Sequence, residues 1–277
     1  MVLLIIGYVS FSLSLTPKIP SFASFHTKCT LIYTLIAFNT KQSQKKMQRK
    51  EFLKKLGLST VIVPLVGACN DDDVTPETDT DSGECVVTPS ETAGPFPTKN
   101  PSSMTLVDIT SDRTGVGLEV QITIQNKNNN CEPLAGAMVD IWHCDKDGYY
   151  SEYGGTGLQS TDMTAYHFLR GRQSTDGYGL AAFASIFPGW YPGRAPHIHV
   201  HIYDSSGKSL LVTQIAFPTD ICDTVYTTAT QHYTKGKQDI SNVNDNIFNN
   251  SLDQELAAVT GNVNDGYILT HTIVVDA

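Results

Sequence analysis

Three histidines in the stretch HIHVHIY, namely His197, His199 and His201, alternate with aliphatic residues. In an extended strand, side chains at positions i and i+2 point to the same face, so the imidazoles share one face and the aliphatic residues pack on the other. A Pro- and Gly-rich turn just before the strand carries a phenol, Tyr191, and a guanidinium, Arg194. Imidazole is the commonest metal ligand in proteins. The pattern indicates a metal site that handles an anionic ligand. The alternative is a strand whose histidines only form hydrogen bonds at the surface.

The segments around this strand show the alternation of a β protein. Between residues 116 and 124, aliphatic residues occupy every second position, which predicts a half-buried strand. Turn residues such as Asp147-Gly148 separate segments of similar pattern. Further strands are predicted at 137–143, 168–172, 180–187, 197–203, 210–217 and 267–275, with short helices near Val225 and Leu252. We therefore expect an all-β fold, a β-sandwich core with long loops and one or two short helices.

Charge is distributed unevenly along the chain. Of the 19 Lys and Arg and 28 Asp and Glu residues, residues 1–69 hold nine basic residues and one acidic residue. Residues 70–277 therefore hold ten basic and 27 acidic residues, a formal balance of −17. A body this acidic repels phosphate backbones, so nucleic acid is excluded as an expected partner.

Residues 47–69, MQRKEFLKKLGLSTVIVPLVGAC, have the pattern of a bacterial export signal, a charged start followed by an apolar run too short to span a bilayer comfortably. The final VGAC resembles a lipobox, which predicts that Cys69 becomes the lipidated first residue of the mature protein. The segment RKEFLKK also resembles a twin-arginine signal with Lys50 in the second arginine position, which leaves the export route open. The polar, acidic residues 70–84 predict a flexible tether.

Residues 1–46 precede a signal peptide that is already complete. We interpret them as the product of an upstream start codon chosen in error, with Met47 as the true start; the alternative is a genuine but unusual leader. The ordered domain is expected to cover residues 85–277. We expect an exported, membrane-anchored lipoprotein of a Gram-negative bacterium, periplasmic or on the cell surface.

The cysteines after the export signal are Cys85, Cys131, Cys144 and Cys222. In an exported protein this even set can form two disulfides, and four cysteines allow three pairings. We favour a Cys85–Cys131 bond because both residues lie at the edges of predicted strands. Free buried thiols are the alternative.

Five motifs occur together in the body of the chain: TAGPFP, VDIWHCDKDGYYS, FLRGRQSTDGYG, IFPGWYPGRAPHIHVHIY and LVTQIAF. In this order they resemble the intradiol ring-cleavage dioxygenases, the family of the catechol and protocatechuate dioxygenases. The resemblance covers roughly residues 85–277. It is closest to the exported members, which share the cysteine-flanked start and the WHC segment.

The resemblance implies a non-haem ferric iron, Fe(3+), held by two tyrosines and two histidines. One tyrosine follows the strand tryptophan by eight positions and the other follows the PG turn. The implied ligands in this chain are Tyr150, Tyr191, His197 and His199. Phenolates are hard anionic donors that suit ferric iron.

The resemblance also implies roles for three residues in catalysis. Tyr191 is the displaceable ligand and base, Arg194 stabilises negative charge on the substrate ring, and Gln214 is the family glutamine of the next strand. His201 has no ligand counterpart and is expected to support the site or the strand. The loop between Tyr191 and His197 is shorter than in protocatechuate dioxygenase, which predicts a more open pocket.

Other residues near the motifs have weaker expectations. Arg170 and Arg172 are candidates for binding a substrate carboxylate, although a solvated or structural role is commoner for arginine. Tyr149 is expected to pack rather than to bind.

The implied function is a dioxygenase that inserts both atoms of O2 into a catechol-type aromatic and cleaves the ring between the two hydroxylated carbons to a muconate-type diacid. The expected partners are the catechol-type substrate, O2 and the membrane through the lipid on Cys69. Family members are often dimers or larger, so a homo-oligomer is open. The alternative function is a non-catalytic surface β-sandwich binding module that retains the iron site.

Overall fold

A computed structural model describes residues 85–277 of the chain. The predicted leader, export signal and tether, including Cys69, lie outside the described residues. Their boundaries at 46, 69 and 84 stay predictions. Among residues 85–277, no helix is long and apolar enough to cross a bilayer.

Two β-sheets form the framework of the described chain. The strands are β1 (Gly117–Asn126), β2 (Glu132–Pro133), β3 (Met138–Trp142), β4 (Arg170–Ser174), β5 (Leu180–Ile186), β6 (His197–Tyr203), β7 (Ser209–Ala216), β8 (Ala258–Asn262) and β9 (Gly266–Val275). One sheet has the order β2-β1-β9-β8, with β5 also paired to β1. Within it, β1 and β9 run parallel and the other pairs are antiparallel. The second sheet has the order β4-β3-β6-β7 and is antiparallel throughout.

The hydrophobic core lies between the inner faces of the two sheets. Val120 and Ile122 of β1 belong to the same buried cluster as Ile198, Val200 and Ile202 of β6. All five side chains are fully buried. Burying an aliphatic side chain of this size stabilises the fold by about 1.5–3 kcal/mol. The aliphatic half of the HIHVHIY alternation is therefore what fixes the strand, and its histidines are left on the outer face.

Strand register arranges the outer face of the four-stranded sheet into rows. The first row, named the upper row, runs across all four strands and consists of Arg170, Trp142, His199 and Gln214. The next row, named the lower row, consists of Arg172, Asp140, His201 and Val212. Side chains directly opposite each other on neighbouring strands lie within contact distance. Residues far apart in the sequence are thereby brought side by side.

Helix α1 (Thr219–Thr228) and the segment after it pack against the turn that precedes the His strand. Tyr226 Oη donates a hydrogen bond of 2.8 Å to Pro188 O, and Tyr233 Oη donates one of 2.7 Å to Phe187 O. Both tyrosines are buried. These bonds satisfy carbonyl groups that the turn removes from the sheet, and they hold the turn against the core. A second short helix, α2 (Leu252–Glu255), packs on β7.

The predicted fold class and the predicted strands are confirmed, with boundaries shifted by one or two residues. Strand β8 was missed because four of its five residues are exposed, so the sequence has no buried alternation to detect there. Strand β2 has only two residues, both exposed.

The cysteines divide into a bonded pair and two thiols. Cys85 and Cys131 form a disulfide, the pairing that we favoured. The expectation of a second disulfide is wrong, because Cys144 and Cys222 are free and buried. Cys144 Sγ points to Gly189 O at 3.5 Å, whereas Cys222 packs in the main core from helix α1.

Candidate metal centre

Four side chains from three segments meet beside the upper row. Tyr150 comes from the loop after β3, Tyr191 from the turn before β6, and His197 and His199 from β6 itself. His197 Nε2 lies 3.3 Å from Tyr150 Oη, 3.1 Å from Tyr191 Oη and 3.2 Å from His199 Nε2. Two atoms bound to one metal ion at about 2.0 Å lie about 3.3 Å apart at the tetrahedral angle. The spacing of these donor atoms therefore fits a shared metal ion.

The proton on His197 can be placed from its neighbours. Its Nδ1 lies 2.6 Å from Ala195 O. Because a carbonyl oxygen only accepts hydrogen bonds, Nδ1 carries the proton and Nε2 presents a lone pair. One lone pair cannot serve two phenol hydroxyls while a second ring nitrogen, His199 Nε2, also faces it. A cation at the centre of the group satisfies all four atoms at once.

Burial keeps the four groups neutral when no cation is considered. Desolvation, with a smaller contribution from Arg194, lowers the pKa of His197 to about 3. Desolvation also lowers the pKa of His199 well below its usual value and raises the pKa of Tyr191 to about 12. The pKa of Tyr150 is raised well above its usual value, first by burial and then by Tyr191. A metal cation favours the anionic phenolates and so opposes the effect of burial on both tyrosines.

Carboxylates and thiols do not supply an alternative site. Within residues 85–277, no group of three or more His, Cys, Asp or Glu side chains is arranged to hold a metal ion. The candidate centre therefore depends on its two phenols, which is the donor chemistry that suits a hard, highly charged cation such as ferric iron.

Tyr150 is held from both sides of its backbone by one side chain. Gln159 Oε1 accepts from Tyr150 N at 2.8 Å, and Gln159 Nε2 donates to Tyr150 O at 2.8 Å. Phe96 packs on the phenol with ring centroids 5.1 Å apart. Sequence analysis missed Gln159, because its loop is irregular and carries no periodic signal.

The turn that carries Tyr191 requires a glycine. A side chain at Gly189 would lie 2.4 Å from Lys146 O and 2.6 Å from Asp145 O, closer than such atoms approach. The indole Nε1 of Trp190 donates to Gly236 O at 2.9 Å, which fixes the residue next to Tyr191. The PGWYPG segment is thus anchored on both flanks.

His199 is enclosed by the upper row and by the TAGPFP motif. Trp142 stacks on its imidazole, with centroids 5.0 Å apart and planes at 3°. A side chain at Gly94, which has φ +66°, would lie 2.9 Å from His199 Cε1. The glycine of the motif therefore lets the loop cover the histidine closely.

Arg194 is fixed by a carboxylate and an amide from two different segments of the chain. Its Nε donates to both oxygens of Asp245, at 3.1 and 2.9 Å, and its Nη2 donates to Gln214 Oε1 at 2.7 Å. Asp245 also accepts from Ala195 N at 2.7 Å. The fully buried Asp245 therefore anchors the guanidinium and the backbone next to His197 together. Sequence analysis missed Asp245, which lies in an Asn-rich segment about 50 residues away with no motif around it.

Several other expectations can now be compared with their positions. Arg170 and Arg172 are not available to a substrate. Arg170 is fully buried and bonds to Ser151 and to Phe96 O, and Arg172 forms a two-point ion pair with Asp140. These contacts support a structural role for both arginines and contradict the candidate role of binding a substrate carboxylate.

His201 and Tyr149 were both expected to lie outside the ligand set, and the structure places them differently. His201 is kept away from the centre by bonds of 2.8 Å to Tyr203 Oη and to Ser209 Oγ. Tyr149 was expected only to pack, but it lines an open cleft, since the loop at Gly148 is a turn rather than an extended strand.

That cleft leads to the centre from outside and has a volume of about 520 Å³. Tyr191 lines it, whereas Tyr150 is 1% exposed and lies behind. A small molecule entering the cleft therefore meets Tyr191 before the other three groups. The remaining lining includes Pro95, Phe96, Asp147, Tyr149, Leu158, Ser160, Pro192 and Lys235.

The fold and the site together define a class: a two-sheet β protein whose outer sheet face holds a centre of two tyrosines and two histidines. The Dioxygenase family model, Dioxygenase_C, matches residues 92–257, more than half of the chain. The chain belongs to the intradiol ring-cleavage dioxygenase family.

Individual relatives agree with this family. An intradiol ring-cleavage dioxygenase from Tetranychus urticae has a similar structure, with a TM-score of 0.62, 26% identity, and coverage of 69% of this chain and 95% of that chain. Catechol 1,2-dioxygenase 1 of Acinetobacter lwoffii is 27% identical over 122 residues, 38% of this chain and 37% of that protein. Chlorocatechol 1,2-dioxygenase of Rhodococcus opacus is 28% identical over 123 residues, 38% of this chain and 45% of that protein. The chain spans less than half the length of these two curated relatives.

Proposed function

We propose that the chain is a non-haem ferric dioxygenase that cleaves a catechol-type aromatic between its two hydroxylated carbons, with both atoms of O2 entering a muconate-type diacid. The observation that carries the proposal is the convergence of two phenol oxygens and His199 Nε2 on His197 Nε2 at 3.1–3.3 Å, beside a fixed guanidinium and behind a cleft that Tyr191 lines. The names of the two curated relatives, a catechol and a chlorocatechol 1,2-dioxygenase, support the reaction class.

Ferric iron would be held by Tyr150, Tyr191, His197 and His199. When bound, it supplies the Lewis acidity that draws a catechol to it as an anion, together with the redox chemistry that dioxygen requires. The two phenolates offset two of its three positive charges. The chain's own residues then decide how the substrate is oriented and where its protons go.

Tyr191 is the base for a substrate hydroxyl. It is the one of the two phenols that lines the cleft, and burial gives its oxygen a pKa of about 12 in the absence of a cation. When Tyr191 is a phenolate, an oxygen with so high a pKa readily accepts a proton from a catechol hydroxyl that reaches it. Tyr150, behind it, keeps its position because Gln159 and Phe96 enclose it.

Arg194 stabilises negative charge on the substrate ring. Two of its nitrogen atoms are occupied by Asp245 and Gln214, and its Nη1 makes no hydrogen bond within the described residues. A guanidinium that is already oriented costs no reorganisation when charge develops beside it. Gln214 is itself fixed, since its Nε2 donates to Thr92 O at 2.9 Å.

The proposal is tested with the purified chain loaded with ferric iron. We expect a burgundy colour from charge transfer between tyrosinate and iron, uptake of dioxygen when catechol is added, and a diacid product that carries both atoms of labelled O2. A colourless, iron-free protein contradicts the assignment. Colour without oxygen uptake on any catechol favours the non-catalytic binding module instead.

We further propose that the protein is exported and anchored by a lipid on Cys69. The Cys85–Cys131 disulfide supports export, because such bonds persist in oxidising compartments. Labelled fatty acid supplied to cells should appear in the protein and disappear in the variant Cys69→Ser. Labelling that persists in that variant would contradict the anchor.

A further inference from the structure

The open cleft is larger than a single aromatic ring requires. Its volume of about 520 Å³ lies within the range of pockets that hold drug-sized ligands, roughly 300–1,000 Å³. Tyr191 lies at the metal side of the cleft and Lys235 lines its wall. A catechol whose hydroxyls reach Tyr191 leaves the rest of the cleft for a substituent.

Lys235 is an exposed lysine held in one place by three contacts. Its Nζ donates to Trp190 O, lies 3.5 Å from Asp147 O and sits 4.2 Å from the centroid of the Trp190 ring. Trp190 is itself fixed by its bond to Gly236 O. A long side chain that is already ordered loses little rotamer freedom when it binds a ligand.

The charge on Lys235 is left unpaired by its neighbours. Both hydrogen-bond partners are carbonyl oxygens, and among the described residues no carboxylate lies within ion-pair distance of its Nζ. Asp147 lines the same cleft, but its carboxylate is paired with Lys146 at 2.6 Å. In a body with a formal balance of −17, an unpaired, ordered cation in the ligand cleft is an exception that calls for an anionic partner.

The three arginines near the centre have protein partners, and none of them lines the cleft. Arg194 is bonded to Asp245, Arg170 is enclosed beside Ser151, and Arg172 is paired with Asp140. Among the described residues, Lys235 is the cation that lines the cleft. Among residues 85–277 its third N–H has no acceptor, so it can donate to a ligand oxygen.

We propose that Lys235 binds a carboxylate on the substrate, so that the substrate class is catechols that carry an anionic substituent. This inference rests on the proposed function, since Tyr191 and the metal are taken to hold the catechol hydroxyls. It adds a second attachment point, on Lys235 in the wall of the same cleft, that orients the substituent of the ring.

The first test compares an acid with its neutral ester. The full chain, loaded with iron, is supplied with 3-(3,4-dihydroxyphenyl)propanoate or its methyl ester, and the ratio of their kcat/KM values is measured. We expect the acid to be preferred by about fivefold, the scale of a partly exposed ion pair. Lys235→Met should remove the preference, Lys235→Arg should keep most of it, and added salt should weaken it in the parent.

The acid-to-ester ratio separates charge recognition from damage to the fold, because both compounds use the same cleft. Lys208→Met is the matched control, since Lys208 is exposed in the turn between β6 and β7 and does not line the cleft. An equal ratio in the parent and in Lys235→Met overturns the inference, and so does loss of the preference in Lys208→Met.

A binding measurement distinguishes this inference from the proposed function. Calorimetry with 3-(4-hydroxyphenyl)propanoate and its methyl ester, which lack the second hydroxyl, needs no turnover. If no catechol is cleaved but the acid binds more tightly than the ester in a Lys235-dependent way, the proposed function fails and the anion site stands. If catechols are cleaved but acid and ester bind and react equally, the anion site is wrong and the function stands.

Discussion

The upper and lower rows of the outer sheet face share two residue types and differ in the groups that surround the histidine of each row. Each contains an arginine from β4 and a histidine from β6, with one residue of β3 between them. In the lower row every strong group finds a protein partner: Arg172 pairs with Asp140, and both nitrogens of His201 are bonded, to Tyr203 and Ser209. Beside the upper row, His199 Nε2 faces His197 Nε2, which in turn faces the oxygens of two phenols.

The difference shows that residue type does not identify the centre. His199 and His201 are two positions apart and point to the same face, yet His199 Nε2 faces another ring nitrogen, whereas both nitrogens of His201 bond to hydroxyl groups. The functional histidine is identified by its surroundings, namely by a ring nitrogen whose hydrogen-bonding capacity the neighbouring residues do not satisfy. Variants that remove one member from each row test this distinction.

The largest expected effect separates the two histidines themselves. His199→Ala should lose bound iron, the burgundy colour and at least about three orders of magnitude of activity, more than the 10–100-fold typical of changes outside the ligand set. His201→Ala should keep the iron and the colour, because its partners are Tyr203 and Ser209. Iron analysis and the visible spectrum measure both. If His201→Ala alone abolished iron binding, the choice of ligands would be wrong.

The second effect distinguishes the two phenols. Tyr191→Phe should keep much of the iron, since three donors remain, but should alter the colour and lower kcat by about 10²–10⁴-fold, the usual contribution of a general base. Tyr203→Phe is the matched control from the lower row, because that phenol bonds to His201 and touches Arg172 rather than the groups of the centre. Equal losses in both variants would contradict a specific role for Tyr191.

Much of this arrangement could be predicted from the sequence, and the physical reason is periodicity. The alternation in HIHVHIY places His197 and His199 on one face and Val200 in the core, because aliphatic burial decides the orientation of the strand. The resemblance then added Tyr150, whose segment is irregular, and gave Tyr191 and Arg194 their roles.

The supporting residues could not be predicted in the same way. Asp245 and Gln159 lie in loops, where no repeating pattern tells which side chain turns inward. Lys235 has an ordinary surface composition, and its meaning depends on three contacts from segments about 45 and 90 residues away. The split of the cysteines likewise depends on distances that no spacing rule gives.

A third effect compares the two carboxylates that hold arginines. Asp245→Asn should lower kcat by about 10–100-fold with iron content unchanged, because Arg194 and Ala195 N lose a charged acceptor. Asp140→Asn weakens the corresponding pair in the lower row and should change kcat by no more than about threefold. Steady-state kinetics on one catechol, with iron content measured in parallel, separates the two. A similar loss of kcat in both variants would mean that the sheet face responds as a whole and that Asp245 has no specific positioning role.

The smallest expected effect concerns a lone unpaired histidine on the other sheet. His271 of β9 lies on the same face of its strand as Leu269 and Ile273 of the core, and within the described residues its buried Nε2 has no hydrogen-bond partner. Burial lowers its pKa to about 4, below the value of about 6.5 in an unfolded chain. The unfolded state therefore binds the proton first, so this contribution to stability is complete above pH 6.5 and is lost as the pH falls toward 4, by up to about 3 kcal/mol.

Unfolding by urea at pH 7 and pH 4.5 measures this loss, with His271→Gln as the comparison. The variant should lose less stability between the two pH values than the parent, with its bound iron at pH 7 unchanged, since His271 belongs to no metal-binding group of His, Cys, Asp or Glu side chains within residues 85–277. A variant with the same pH dependence as the parent would contradict the burial argument. A change of iron content in His271→Gln would contradict the comparison of bonded and unbonded histidines, because a single unpaired nitrogen would then suffice to affect the centre. An unpaired ring nitrogen is costly wherever it lies, and it becomes a binding site only where other unpaired donors meet it.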